Sequence, residues 1–435
     1  MRVFKRGLKY FIVYVVTVSQ LFSLLVMTSK IPKSAIQSNL EKSVEFFEKN
    51  AGIEEILKRR EYTTIHYFAD TVLLNIIYSI DTEKPIDSTL WAKYYLQVKA
   101  DINNDFIDVV SKDLEPNEQY LRYWHGSMLI LRPLLTVFDI EQIYVINKVV
   151  MYSLAIVLFV LISRKSKKTA FVYLIAMVMV AFPIVPYCLE YSWTFYIMLI
   201  ASIIAVQIEN KGNNYIYMLS FITGILTCFF DFLSTEIITL FVPLLLVLMI
   251  RKEKNELKSF KEGFKILAIS SILWGISYVA MWCTKWMLAS LILHINALEY
   301  VRENAMLRIN GLQGLQSREE MYKGALYKNW HNLYPINIVK NKKKLLKYVL
   351  IFFGTIALFI DWKHIKKKWF AGLLLIIAVM PYIRYLVLAN HSYRHSFFTF
   401  REQIISCIAI MGAILESLNY KILFKEINWR KKWKT

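Results

Sequence analysis

The sequence is poor in the residues that punctuate soluble folds. Its 435 residues include only 13 Gly and 9 Pro, too few for collagen, long flexible linkers or low-complexity tracts. The four cysteines, Cys188, Cys228, Cys283 and Cys407, form neither a disulfide framework nor a CxxC zinc pattern. They lie in or beside apolar runs and read as small hydrophobes. Charge is scarce, at 20% of residues, and lopsided: 53 Lys and Arg face 33 Asp and Glu, for a formal net charge of +20. The motifs of soluble enzymes are missing too. There is no GxxxxGK(S/T) loop, no GxGxxG after a strand, no HExxH and no GxSxG, so nothing supports nucleotide-driven catalysis.

What is present is hydrophobic. Apolar residues make up 56% of the chain, aromatics 15%, and mean hydropathy is +0.40. Disorder requires low hydrophobicity, and a nucleic-acid binder this basic is not usually this apolar. The class that remains is an all-α polytopic membrane protein. A bilayer core needs about 20 mostly apolar residues per helical span. Such runs predict ten spans, at 8–27, 141–162, 169–186, 192–208, 214–230, 235–250, 265–286, 346–360, 370–389 and 402–418. The basic start (Arg2, Lys5, Arg6, Lys9) resembles a signal peptide, but Met27-Thr28-Ser29-Lys30 is a poor cleavage site, so the first run is read as an uncleaved span.

Charge orients these spans. With the N-terminus inside, the cytosolic segments hold 25 of the 53 basic residues and 6 of the 33 acidic ones, leaving 28 and 27 elsewhere. The expected layout is a bacterial cytoplasmic-membrane protein with both termini cytosolic. Residues 1–27 form the basic start and first span, and 28–140 a helical outer domain with an interfacial helix at Met128–Phe138. Spans two to seven fill 141–286, a second outer loop 287–345, and the last spans and basic tail 346–435. In the outer domain, Ser38–Arg60 has helical spacing, with a stripe of Leu40, Val44, Phe47, Ile53, Ile56 and Leu57. Helices also follow at His66–Ile80 and Leu90–Val98.

Several polar residues interrupt the apolar surroundings. Asp70 sits within Tyr67-Phe68-Ala69-Asp70-Thr71-Val72, an environment that raises a carboxyl pKa and suits a general base or a metal ligand. It also suits a helix cap. Arg122 and His125, in Arg122-Tyr123-Trp124-His125-Gly126, and Arg132 within Leu131-Arg132-Pro133, suit a lipid-linked phosphate or snorkelling to the headgroups. Glu190 lies on an outer rim. Asp231 and Arg384 lie at depths where isolated charge is costly, and they read either as functional groups or as an ion pair with each other. His391, Arg394, His395 and Arg401 crowd the last outer turn. Cations and histidines with few carboxylates suit an anionic substrate such as a phosphate.

This layout, with Phe68-Ala69-Asp70-Thr71, Arg122-Tyr123-Trp124-His125-Gly126, Phe230-Asp231-Phe232-Leu233-Ser234 and His391-Ser392-Tyr393-Arg394-His395, resembles the integral-membrane GT-C glycosyltransferases. The resemblance implies a GT-C-like fold and transfer of a sugar from a polyprenyl-phosphate donor to a cell-envelope glycan or lipid acceptor at the outer face. It implies that Asp70 deprotonates or orients the acceptor hydroxyl. Arg122, Arg132 and His125, with Arg394 or Arg401, would stabilise the phosphate leaving group. It also leaves room for a divalent metal ion as cofactor, with Asp70 its candidate ligand. The bilayer is the remaining partner, and no nucleic acid is expected. The competing readings are a polysaccharide polymerase, a lipid-linked-sugar flippase or transporter, and a structural subunit.

Overall fold

The computed structural model describes residues 2–50, 52–58, 60–97, 102–312, 315, 317–339 and 341–419. It is nearly all-α. In chain order the helices are α1 Arg2–Ser29, α2 Lys33–Lys49, α3 Tyr67–Tyr78, α4 Pro85–Trp91, α5 Ile102–Lys112, α6 Met128–Leu135, α7 Ile140–Lys165, α8 Lys167–Met179, α9 Leu189–Ile208 and α10 Asn213–Phe230. They continue with α11 Ile238–Glu253, α12 Phe260–Leu293, α13 Ala297–Asn310, α14 Arg318–His331, α15 Lys342–Leu358, α16 Trp369–Ala378, α17 Met380–Val387, α18 Ala389–Arg394, α19 Ser396–Thr399 and α20 Ile404–Ser417. Two short antiparallel ladders complete it: β1 Ile53–Glu55 with β2 Thr64–His66, and β3 Lys93–Tyr94 with β4 Glu118–Gln119.

Among the described residues, seven helices are long and apolar enough to cross a membrane, rather than ten: Gly7–Ser29, Ile140–Lys165, Leu189–Ile208, Asn213–Phe230, Phe260–Leu293, Trp369–Val387 and Ser396–Ser417. The helices at the three other expected spans are too short to count among these seven. The 169–186 run stops as α8 at Met179, and Phe182–Tyr187, with Pro183 and Pro186, coils into a 3-10 turn. Proline there removes the N–H a longer helix needs. The 235–250 run becomes the 16-residue α11, about 24 Å long at 1.5 Å per residue. Every residue from Ile238 to Arg251 is buried, so α11 is a helix apolar all round and enclosed by its neighbours. The 346–360 run is the 17-residue α15, which opens on lysines.

Close packing joins these helices through small residues. A Cβ at Gly224 of α10 would lie 2.5 Å from the Trp274 carbonyl and 2.1 Å from Ser277 Oγ of α12. The bundle has two distinct ends. At one, Glu209 after α9 receives Lys165 of α7 at 3.0 Å and Lys254 after α11 at 2.5 Å, while Arg251 donates to its carbonyl. At the other, the 30–139 segment ties the helix ends together. Ser29 Oγ meets Thr89 Oγ1 at 3.0 Å, Ile140 N donates to Ser43 Oγ at 3.0 Å, Gly126 N to the Phe229 carbonyl at 2.9 Å, and Lys285 Nζ to the Leu90 carbonyl at 2.9 Å.

The 30–139 segment is less helical than its periodicity predicts. Helix α2 ends at Lys49, and the chain turns into the β1–β2 hairpin. Leu40, Val44 and Phe47 are buried while Ile53, Ile56 and Leu57 are exposed. The predicted helix at 90–98 is replaced by the end of α4 and by β3, with Ala92 left-handed at φ 47° as the helix C-cap. The interfacial helix is present as the eight-residue α6.

Candidate functional site

The β1–β2 hairpin sets the site. Register pairs His66 with Ile53, and α3 begins at the next residue. One turn later Asp70 falls on the same face, at i+4 from His66. Asp70 is fully buried, and its carboxylate is occupied. Oδ2 accepts the Tyr144 hydroxyl of α7 at 2.8 Å and the Leu189 N–H at 2.8 Å, and Oδ1 accepts the Glu190 N–H at 3.1 Å. The acid thus caps the first turn of α9 from a different helix, meeting donors that a helix start leaves unpaired. Burial pushes the carboxyl up to about 7; the Leu189 and Glu190 N–H groups and the Tyr144 hydroxyl pull it down, and the Glu190 charge raises it.

Glu190 turns its side chain onto His66, with Nδ1 to Oε2 at 2.6 Å. The imidazole is wedged between Phe68 and Phe397, at centroid distances of 5.3 and 5.1 Å. His66, Asp70 and Glu190 form one wall of a cavity of about 300 Å³. Arg122, His125, His391 and His395 line the rest, with Tyr94, Tyr120 and Phe232 among the aromatics. Six residues singled out in the sequence, Asp70, Arg122, His125, Glu190, His391 and His395, therefore meet at one cavity.

Arg122 lies over the Tyr120 ring at 4.2 Å and donates to Asn304 Oδ1 at 3.2 Å and Tyr300 hydroxyl at 3.4 Å of α13. Its Nε is buried without a hydrogen-bond partner. Burial opposes its charge, but Tyr120, Tyr123 and Tyr300 more than offset this, so its pKa lies above the usual guanidinium value. Arg122 also lines a second, apolar groove of about 240 Å³, shared with Tyr123, Trp282, Trp286 and Val301. It belongs to both the cavity and the apolar groove.

His125 is not the cation the sequence suggests. It occupies a left-handed backbone position, φ 55°, and Nε2 bonds the Tyr120 carbonyl at 2.9 Å while Nδ1 is buried without a hydrogen bond. Burial pushes it down to about 3, and Lys285 and Arg122 add to the effect, so the ring is neutral. The turn needs Gly126 next to it: a Cβ there would lie 2.5 Å from the Phe229 carbonyl.

The other expected phosphate ligands have protein partners and do not line the cavity. Arg132, fully buried, donates Nη1 to the Ile77 carbonyl and Nε to the Ile31 carbonyl at 3.2 Å; burial lowers its pKa to about 10. Arg401 donates to the Phe397 carbonyl at 3.0 Å and the Tyr62 carbonyl at 3.3 Å, with the Tyr191 ring 4.7 Å away. Arg394 is exposed on α18. Arg384 pairs with Glu236 (Nε–Oε1 2.9 Å, Nη2–Oε2 3.1 Å) and Glu402 (3.0 Å), not with Asp231. Asp231 instead caps its own loop: Oδ1 accepts Ser234 N at 3.0 Å and Ser234 Oγ at 2.5 Å, and Oδ2 is buried without a hydrogen bond. Burial, then the Glu236 charge, raises its pKa. This cluster touches the cavity indirectly, since Arg384 Nη2 and His391 Nε2 share the Leu233 carbonyl at 2.8 Å each.

His66, Tyr94, Tyr120, Glu236 and Glu402 were not singled out in the sequence. The i, i+4 spacing of His66 and Asp70 is the signal that could have found the first of them. The metal expectation does not fit Asp70, whose two oxygens both accept N–H or O–H donors. Among the described residues no group of three or more His, Cys, Asp or Glu is placed to hold a metal ion. A larger cleft, about 490 Å³, opens between Lys33, Trp91 and Asp113. Its Lys33–Asp113 pair is solvated, and it reads as charged surface. No family model matches the chain, and no curated protein or solved structure matches it significantly.

Proposed function

We propose that the protein is a membrane glycosyltransferase of GT-C type, moving a sugar from a polyprenyl-phosphate donor to a cell-envelope glycan or lipid acceptor. One observation carries this reading. A cavity that gathers the ionisable groups of His66, Asp70, Glu190, His391 and His395 among apolar residues adjoins an apolar groove walled by Trp282 and Trp286, and Arg122 belongs to both. A donor with a sugar, a phosphate and an isoprenoid chain has that order of chemistry. The sugar takes the cavity with its ionisable groups, the phosphate meets the guanidinium, and the chain takes the groove. Sidedness follows from charge. Arg164, Lys165, Lys167, Lys168, Arg251, Lys252 and Lys254 gather at the end of the bundle opposite the cavity, which the positive-inside rule puts in the cytosol. The cavity then faces away from the cytosol, where a lipid carrier is the simplest donor. Asp70, with its carboxylate occupied, serves by holding α9 and Glu190 against the cavity.

The test is mass spectrometry of envelope glycans from cells with and without the protein. Loss of one glycan species on deletion, restored by the wild-type chain and not by Arg122→Gln, is the expected result. An unchanged glycan profile in the deletion overturns the reading.

A further inference from the structure

Glycosyl transfer to a hydroxyl needs somewhere for the acceptor's proton to go, and Asp70 is poorly placed to take it. Each of its oxygens already accepts a donor from Tyr144, Leu189 or Glu190, and it is fully buried. One turn away, His66 offers what Asp70 lacks. Its Nδ1 meets Glu190 Oε2 at 2.6 Å; a carboxylate only accepts, so Nδ1 is the donor in this contact and Nε2 is the ring nitrogen left to take a proton on the other side of the neutral imidazole. The ring cannot swing, because Phe68 and Phe397 flank it. Both members of the pair line the cavity. The two are also built on one support: His66 immediately precedes α3, Asp70 sits in its first turn, and the Asp70 carboxylate holds the Glu190 N–H. A base oriented by a carboxylate that is itself fixed by the fold is the arrangement general-base catalysis requires.

We propose that His66 and Glu190 form the proton-accepting pair of the site, His66 being the general base and Glu190 and Asp70 positioning residues. This rests on the transferase reading above. In the step, the acceptor oxygen bonds to the anomeric carbon as its proton passes to His66 Nε2. The bond from the anomeric carbon to the phosphate oxygen breaks, and its electron pair leaves on that oxygen, facing Arg122. The proton on His66 is then released to water, and Glu190 holds the imidazolium while it exists.

The experiment uses membrane vesicles carrying the full chain, with the native glycan product read by mass spectrometry, and polyprenyl phosphate binding to the purified protein as a separate probe. The informative variant is His66→Asn. Its amide nitrogen replaces Nδ1 toward Glu190 and leaves nothing where Nε2 was. Product formation is expected to fall by about 10²–10⁴-fold, the usual range for removing a general base, with polyprenyl phosphate binding within twofold of wild type. Imidazole added to His66→Ala vesicles is expected to restore product at least tenfold, since a free base can occupy the space vacated in the cavity. Glu190→Gln is expected to lower the rate less than His66→Asn. Activity of His66→Asn within threefold of wild type overturns the assignment. So does loss of binding together with activity in both His66 variants and no rescue by imidazole, which marks a structural histidine. A wild-type chain that forms no product removes the transferase reading itself, and the pair's role with it, so the two failures are told apart by the wild-type lane.

Discussion

Asp70 Oδ1 accepts the backbone N–H of Glu190 at 3.1 Å, across 120 positions of sequence. With the Leu189 contact from Oδ2, one buried acid holds the start of α9 to α3. Asp70→Ala leaves two N–H groups and the Tyr144 hydroxyl buried without their acceptor, at about 1–3 kcal/mol each for an unmet buried group. The expected outcome is a large fall in melting temperature in detergent, measured by intrinsic fluorescence, and not merely a loss of activity.

The same residue imposes a pH dependence of known sign. Burial puts its folded value at about 7, above the ordinary 3.8. The folded state therefore binds the proton more tightly than the unfolded chain. Stability from this group is fully present below about pH 4 and is lost as pH rises through 7. Asp70→Asn does not titrate. Melting temperature measured from pH 4 to 8 should show the wild type losing ground against Asp70→Asn as pH rises. Parallel curves would remove the buried-carboxyl account.

The Arg384 cluster predicts an asymmetry between its partners. Arg384 faces Glu236 through two hydrogen bonds and Glu402 through one ion pair, and Glu402 Oε2 is buried without a hydrogen bond. Removing the cation leaves buried carboxylates uncompensated, which costs about 3–5 kcal/mol. Arg384→Met is expected to unfold or mislocalise the protein. Glu402→Gln removes a charge from a site already rich in acids and keeps the shape, and it is expected to retain the wild-type melting temperature within a few degrees.

Which parts of this were legible in the sequence follows from what local pattern can encode. Asp70, Arg122, His125, His391 and His395 stood out because ionisable groups amid apolar residues are costly wherever they end up. Their meeting at one cavity follows from the alternating course of the apolar helices. The one signal for His66, its i, i+4 spacing to Asp70, is weak alone, because the β1–β2 pairing that places His66 at the start of α3 involves three-residue strands with no usable periodicity. Arg132 and Arg401 looked like ligands for phosphate because a sequence does not reveal that backbone carbonyls of Ile31, Ile77, Phe397 and Tyr62 await them. Arg384 found Glu236 and Glu402 rather than Asp231 for the same reason: pairing across helices is set by packing. The 169–186 run passed for a full-length helix because composition fixes hydrophobicity but not where the turn carrying Pro183 and Pro186 ends a helix.

Gly126 tests how tightly the cavity's loop is held. Its N–H donates to the Phe229 carbonyl at 2.9 Å, and an added Cβ would lie 2.3 Å from the Phe229 ring. Because that carbonyl is backbone at the end of α10, it cannot move aside, so Gly126→Ala must push the 122–126 loop outward. The expected outcome is weaker polyprenyl phosphate binding through displaced Arg122, with most of the fold's stability retained.

Arg122 and Arg132 make the sharpest contrast, since the sequence offers both as cations suited to phosphate, one before the apolar helix at 128–138 and one within it. Arg132 spends its guanidinium on the carbonyls of Ile31 and Ile77, so even Arg132→Lys, a point charge in place of a planar fork, is expected to lower melting temperature. Arg122 keeps a buried Nε without a hydrogen-bond partner and lines both cavity and groove. Arg122→Gln is expected to leave melting temperature within a few degrees of wild type. It should weaken polyprenyl phosphate binding by about 10- to 100-fold, the equivalent of one charge-assisted hydrogen bond of about 1.5–3 kcal/mol. The loss should shrink as salt is raised only if the phosphate is reached by water. A desolvated contact between guanidinium and phosphate is screened little, and binding isotherms at low and high salt separate the two cases.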